Sequence, residues 1–196
     1  MKKGLNEIIL IIDKSGSMCS IKDDAIGGYN EFIEKQKTGK GTANVTTILF
    51  DTDYKVVNEN VDVNVVEHLN EETYHPSGMT ALLDSVGKTI NNVGKRLSNT
   101  SEENRPEKVI MCILTDGQEN SSTKYNRGKI KEMIEHQKEK YNWEFIYLGA
   151  NQDSFTEAGN IGINSIDTQN FQATGVGIRM AYKCMADTSL AYRCDG

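Results

Sequence analysis

The chain carries 196 residues, 37% of them hydrophobic and 26% charged, with a formal net charge of −6. That length supports one domain, 1–196, with a sizeable core, and the acidic balance, with Lys and Arg scattered, disfavours nucleic acid as the main partner because phosphate neutralisation needs clustered cations. No stretch approaches the roughly 18 apolar residues of a membrane helix, and two prolines without Ser/Gly-rich or Pro-rich tracts leave no sign of a linker.

Met1-Lys2-Lys3 ahead of an apolar run reads like the start of a signal peptide, but Asp13 stops the run almost at once. Cleavage there would also remove a core strand, so no leader is expected. The cysteines (Cys19, Cys112, Cys184, Cys194) form no CxxC pair, which disfavours zinc. Reduced thiols in a cytoplasmic protein are the expectation, with Cys112 as buried packing and no Cys184–Cys194 disulfide.

The run Ile8-Ile9-Leu10-Ile11-Ile12 reads as a strand buried on both faces of a parallel sheet. It ends at Asp13, and hydroxyls follow at alternate positions, Ser15 and Ser17, with Gly16 between them. A loop at the carboxyl end of a buried strand is where open α/β sheets place ligands. These donors are hard oxygens, suited to magnesium, manganese or calcium. A Ser/Asx-rich turn closing a strand is the plainer alternative.

Ser20 to Asp23 has capping-box spacing for a helix start. Ala25, Ile26, Tyr29, Phe32 and Ile33 then recur at helical spacing until Gly39 and Gly41. Val45 to Phe50 is a second strand, Asp51-Thr52-Asp53 a turn, and Tyr54 to Val57 the return of a hairpin. The alternation of Val61, Val63 and Val65 suggests an edge strand or irregular extended segment between Asn58 and Glu72.

His75 to Thr80 is a Pro- and Gly-containing loop, followed by a helix whose stripe is Leu83, Val86, Ile90, Val93 and Leu97. Thr80 falls at or just before the helix start, where an N-cap role would explain it. Gly87 and Gly94 are expected to let this helix approach the sheet. After a polar connection from Ser98 to Lys108, Val109 to Leu114 is another doubly buried strand, again followed by a carboxylate, Asp116. If the two strands are neighbours, Asp13 and Asp116 share one rim, and a cation between them would relieve their repulsion. The alternative is two hydrated, loop-initiating aspartates.

A helix around Ile130, Met133, Ile134 and Gln137 precedes a strand from Trp143 to Leu148, which Gly149-Ala150-Asn151-Gln152 terminates. A short helix from Phe155 to Ile161, a last strand at Ile163 to Ile166 and a closing helix from Gln172 to Tyr192 complete the chain. Strands alternating with helices define an α/β, three-layer sandwich with a mostly parallel sheet.

Asp13-Lys14-Ser15-Gly16-Ser17-Met18, Ser77-Gly78-Met79-Thr80-Ala81-Leu82 and Leu114-Thr115-Asp116-Gly117 together resemble a von Willebrand factor A-type (VWA) domain with its metal-ion-dependent adhesion site. The resemblance implies a Rossmann-like fold with one antiparallel edge strand. It assigns Ser15 and Ser17 as direct ligands and Thr80 as direct or water-mediated, with Asp13 and Asp116 acting largely through water or hydrogen bonds. Met79 departs from the family's usual small residue. Gly149 to Asp153 and the closing helix are similar to small stand-alone intracellular members of bacteria and phages.

The implied function is a non-enzymatic, metal-dependent module that binds an Asp or Glu of a protein partner, an ATPase among the candidates, through Mg2+, Mn2+ or Ca2+. A magnesium-dependent phosphohydrolase is the alternative, with Asp13 as nucleophile. It lacks an acidic residue at position 15, and its only nearby base is the loop residue His75. An assembly subunit with a vestigial site is a further reading. No G-x-G-x-x-G follows the first strand, and Gly175-Val176-Gly177 comes too late to replace it, which disfavours a dinucleotide enzyme.

Overall fold

A computed structural model describes residues 1–150 and 153–194. Its sheet has six strands in the order β3-β2-β1-β4-β5-β6. These are β1 (Lys2–Asp13), β2 (Thr42–Phe50), β3 (Tyr54–Asp62), β4 (Pro106–Thr115), β5 (Glu144–Ala150) and β6 (Thr168–Phe171). All neighbours are parallel except β2 and β3. The fold is therefore the expected Rossmann-like sandwich with one antiparallel edge strand.

The unbroken aliphatic run of β1 follows from its central place. Ile8, Leu10 and Ile12 face one core, beside Tyr29, Phe32 and Ile33 of α1 (Lys22–Lys37) and Tyr182 and Met185 of α5 (Gly175–Cys194). Ile9 and Ile11 face the other, beside Val86 and Ile90 of α2 (Leu82–Ser98), Ile130 and Ile134 of α3 (Arg127–Tyr141) and Ala158 of α4 (Ser154–Asn160). Successive side chains alternate across a strand, so a strand covered on both faces is apolar throughout. Among the described residues, no helix is long and apolar enough to cross a membrane.

Several elements differ from the sequence reading. The chain enters α1 through a 3-10 turn, Gly16–Ile21, so Ser20 lies inside that turn. Position 21, not 20, is the N-cap, and it makes no side-chain cap bond. An N-cap needs an extended backbone just outside the helix, and the preceding turn removes it. β3 runs well past Val57 and takes in Val61, whereas Val63 and Val65 lie in a short 3-10 turn held by Asp62 accepting from the Asn64 N–H at 2.9 Å.

The last strand is Thr168–Phe171, not Ile163 to Ile166. Ile163 is buried among the α2/α3-side core residues, while Ile166 sits in a 3-10 turn at 88% exposure. Gly87 does not serve sheet approach as expected: a side chain there would strike the Tyr125 ring, with its Cβ 2.7 Å from Cδ1. Gly94 has open space around it. All four cysteines are free, and burial pushes the Cys112 thiol up. Asn151 and Gln152, part of the expected end of β5, lie outside the described residues.

Candidate functional site

The strand order reverses at β1: β2 lies on one side and β4 on the other. A crevice at the carboxyl ends of such strands is the topological switch point of a doubly wound sheet. Asp13 ends β1, and Asp116 follows the last residue of β4. The two loops they begin meet the loop that leads into α2.

Asp13 is 0% exposed. One carboxylate oxygen accepts the Ser15 N–H at 2.6 Å, and the other accepts the Thr115 hydroxyl at 2.6 Å. Its backbone carbonyl accepts the Tyr74 hydroxyl at 2.7 Å. Burial pushes its pKa up to about 6, against the hydrogen bonds of Thr115 and Ser15 that stabilise the charged form. The Ser15 and Ser17 hydroxyls stand 3.1 Å apart, and Ser17 Oγ donates to Asp116 Oδ1 at 2.6 Å. Burial also raises the Asp116 pKa, with the Ser17 bond opposing it.

Thr80 is buried two residues before α2. The N-cap is Ala81, with no side-chain bond, so the Thr80 hydroxyl is not the cap. A methyl carbon placed on Gly117 would lie 3.0 Å from Thr80 Oγ1, 3.6 Å from Ser17 Oγ and 3.9 Å from Ser15 Oγ. Three hydroxyl oxygens from two distant loops thus converge beside Gly117, where a side chain would crowd Thr80 Oγ1. All five residues singled out in the sequence gather at this rim.

Among the described residues, no three His, Cys, Asp or Glu side chains converge. The donor set at the rim is instead hydroxyl oxygen backed by carboxylate, the ligand chemistry of hard divalent cations. His75 is exposed, its Nε2 beside the Glu72 carbonyl at 2.9 Å. Met79 is 51% exposed, with its N–H donating to Thr52 Oγ1 at 2.9 Å, so it flanks the rim without displacing a donor.

Two supports were not apparent from sequence. Asp51 directly follows β2 and is ion-paired with Lys14. It also accepts the Ser77 hydroxyl at 2.9 Å and the Asp53 N–H at 2.6 Å. Burial alone would raise its pKa, but the Lys14, Asp53 and Ser77 contacts together hold it below the usual value. The Ser77 N–H donates to the Lys14 carbonyl at 2.7 Å, and Gly16 N–H to the Gly78 carbonyl at 3.2 Å. On the opposite side, Asn120 grips Thr80. The repeated pattern of a buried strand followed by Asp was the available signal for Asp51; nothing local marks Asn120.

A mostly parallel sheet wound outward from a central strand, with hydroxyl loops at its carboxyl rim, defines a Rossmann-like α/β domain. The von Willebrand factor type A domain family matches residues 7–179, and the chain belongs to that family. No curated protein sequence matches it.

Similar solved structures include proximal thread matrix protein 1 from the mussel byssus, 14% identical with a TM-score of 0.65, aligned over 95% of this chain and 46% of that one. This chain therefore spans about half of the mussel protein, which has also been solved with zinc in its metal-ion-dependent adhesion site. The von Willebrand factor domain of the type V pili tip protein Mfa5 from Porphyromonas gingivalis is 9% identical, with a TM-score of 0.67 and 97% of each chain aligned. The manganese-loaded TRAP protein of Plasmodium vivax is 14% identical, with a TM-score of 0.58 over 92% of this chain and 73% of that one. At these identities the likeness is one of fold.

Proposed function

We propose that the chain is a metal-dependent protein-binding module. Ser15, Ser17 and Thr80 hold a divalent cation, Mg2+, Mn2+ or Ca2+, with Asp13 and Asp116 behind them, and an Asp or Glu of a partner protein completes the coordination. The observation that carries this reading is the convergence of three hydroxyls on the space beside Gly117, with Asp116 bonded to one of them. Metal in the adhesion site of the mussel protein and manganese in TRAP support it by likeness. Neutral hydroxyls leave much of the cation's charge uncompensated, and that charge is the affinity for an incoming carboxylate. Asp13 and Asp116 lower the cost of holding the ion and orient the serines.

The phosphohydrolase reading is weaker. Asp13 is fully buried and each of its carboxylate oxygens accepts a hydrogen bond from the chain itself, so it is not presented to a substrate as a nucleophile. A phosphohydrolase would also want a lysine to cradle the phosphate, and Lys14 is ion-paired with Asp51 instead. Four free thiols fit the proposed cytoplasmic location.

Calorimetric titration with manganese tests the proposal. Saturable binding that Ser15→Ala abolishes is expected, with capture of an acidic peptide that a chelator reverses. Absence of manganese binding to the unaltered protein overturns it.

A further inference from the structure

The helix that follows Thr80 begins without a cap of its own. The first four N–H groups of any helix lack internal partners and need outside acceptors. Here the Ala81 N–H donates to the Asp51 carbonyl at 3.0 Å, and two further acceptors come from the loop after β4. Glu119 Oε2 accepts the Leu83 N–H at 2.8 Å, and Ser122 Oγ accepts the Asp84 N–H at 3.0 Å. Glu119 is itself fixed by the Ser121 and Ser122 N–H groups at 2.9 and 2.7 Å. In return, Asp84 accepts the N–H groups of Thr123, Lys124 and Tyr125 at 2.9 to 3.0 Å. Tyr125 lies over Gly87, and its hydroxyl accepts from Asn91 at 2.8 Å. The loop is laced to α2 from Leu83 to Asn91, about half the helix.

At the head of this lacing stands Asn120. Its carboxamide oxygen accepts the Thr80 N–H at 2.9 Å, and its own N–H donates to the Thr80 carbonyl at 3.1 Å. Both backbone polar groups of Thr80 are thereby held by one residue of the loop that carries Asp116 and Gly117. Two hydrogen bonds to one residue fix its position and its rotation, and hence the direction of its side chain.

We propose that Asn120 is a positioning residue for the hydroxyl site: it couples Thr80 to the Asp116 loop and thereby sets where the Thr80 hydroxyl stands relative to Asp116 and Gly117. The inference rests on the metal-binding reading above and extends it to a residue outside the Asp-x-Ser-x-Ser, Thr and Asp set. Residues that orient ligands typically change metal affinity by about 10- to 100-fold when lost.

The test compares manganese affinity with thermal stability in the full chain. Asn120→Ala is expected to weaken manganese at least about tenfold, with a melting temperature close to that of the unaltered protein measured without metal. Exchange of the Thr80 amide should accelerate, while amides in the middle of α2 stay protected. Asn120→Asp keeps the acceptor and should restore affinity. Gln118→Asp, which adds the same charge on the exposed neighbour without the contact, measures the purely electrostatic part of that rescue. Unchanged affinity in Asn120→Ala, or rescue equally large in the double variant Gln118→Asp/Asn120→Ala, overturns the inference. If the unaltered protein binds no manganese, the metal reading itself has failed.

Discussion

Three carboxylates, Asp13, Asp51 and Asp116, follow or end three adjacent strands at one rim, yet their surroundings differ. Asp51 has a lysine drawn onto it, and its pKa is held down. Asp13 is also buried, accepts the Ser15 amide and the Thr115 hydroxyl, and is pushed up to about 6. The chain neutralises Asp51 with its own lysine, whereas Asp13 is held by hydrogen bonds from an amide and a hydroxyl. The Asp51–Lys14 side is thus a finished structural joint, and the Asp13–Asp116 side is where the proposed cation would bind.

The largest effect is expected at the joint. Lys14→Met leaves Asp51 buried without its counter-charge, which typically costs about 3–5 kcal/mol. Urea unfolding at neutral pH measures it, and a loss under about 1 kcal/mol would place Asp51 among ordinary hydrated carboxylates.

The next is a pH effect of opposite sign at the two aspartates. Asp13 has a folded pKa above the ordinary value of 3.8, so the folded chain binds its proton more tightly than the unfolded chain. The stability this confers is whole below about pH 4 and is lost as the pH rises through about 6. It amounts to about 3 kcal/mol at roughly 1.4 kcal/mol for each pH unit between the two values. For Asp51, with a lowered pKa, the contribution is whole above the ordinary value and is lost as the pH falls through the folded one. Denaturant midpoints from pH 3 to 7, compared with those of Asp13→Asn, isolate the Asp13 slope. Saturating manganese should flatten it, and a slope that persists in Asp13→Asn would assign it elsewhere.

The smallest concerns the Asp13 backbone. Tyr74→Phe removes the buried hydroxyl on its carbonyl and should cost about 1 kcal/mol, read by the same unfolding curves, with manganese affinity changed less than in Ser15→Ala.

How much of this was legible beforehand depended on how local each signal was. Buried parallel strands announce themselves as aliphatic runs, so Ile8 to Ile12 and Val109 to Leu114 placed the centre of the sheet and therefore its rim. Asp13, Ser15, Ser17, Thr80 and Asp116 were readable because each lies just past a well-marked strand or just ahead of a well-marked helix. β6 was missed because its residues, Thr168-Gln169-Asn170-Phe171, bury only the first and last and are held by pairing with β5. The Lys14–Asp51 pair and the Asn120 clamp on Thr80 join residues 37 and 40 apart in sequence. No period or composition records such a contact; only the closed fold brings the partners together.

The central position of β1 also sets when the rim comes into being. Ile8 to Ile12 pair in register with Ile110 to Leu114 of β4, so a growing chain that has made β1, β2 and α2 still lacks Asp116 and the grip on Thr80. The hydroxyl cluster depends on the longest-range strand pairing in the sheet, the kind of contact that loop-closure entropy makes slow. An ion captured there would recognise the finished topology and not its precursors, and each captured ion would draw the folding equilibrium toward completion.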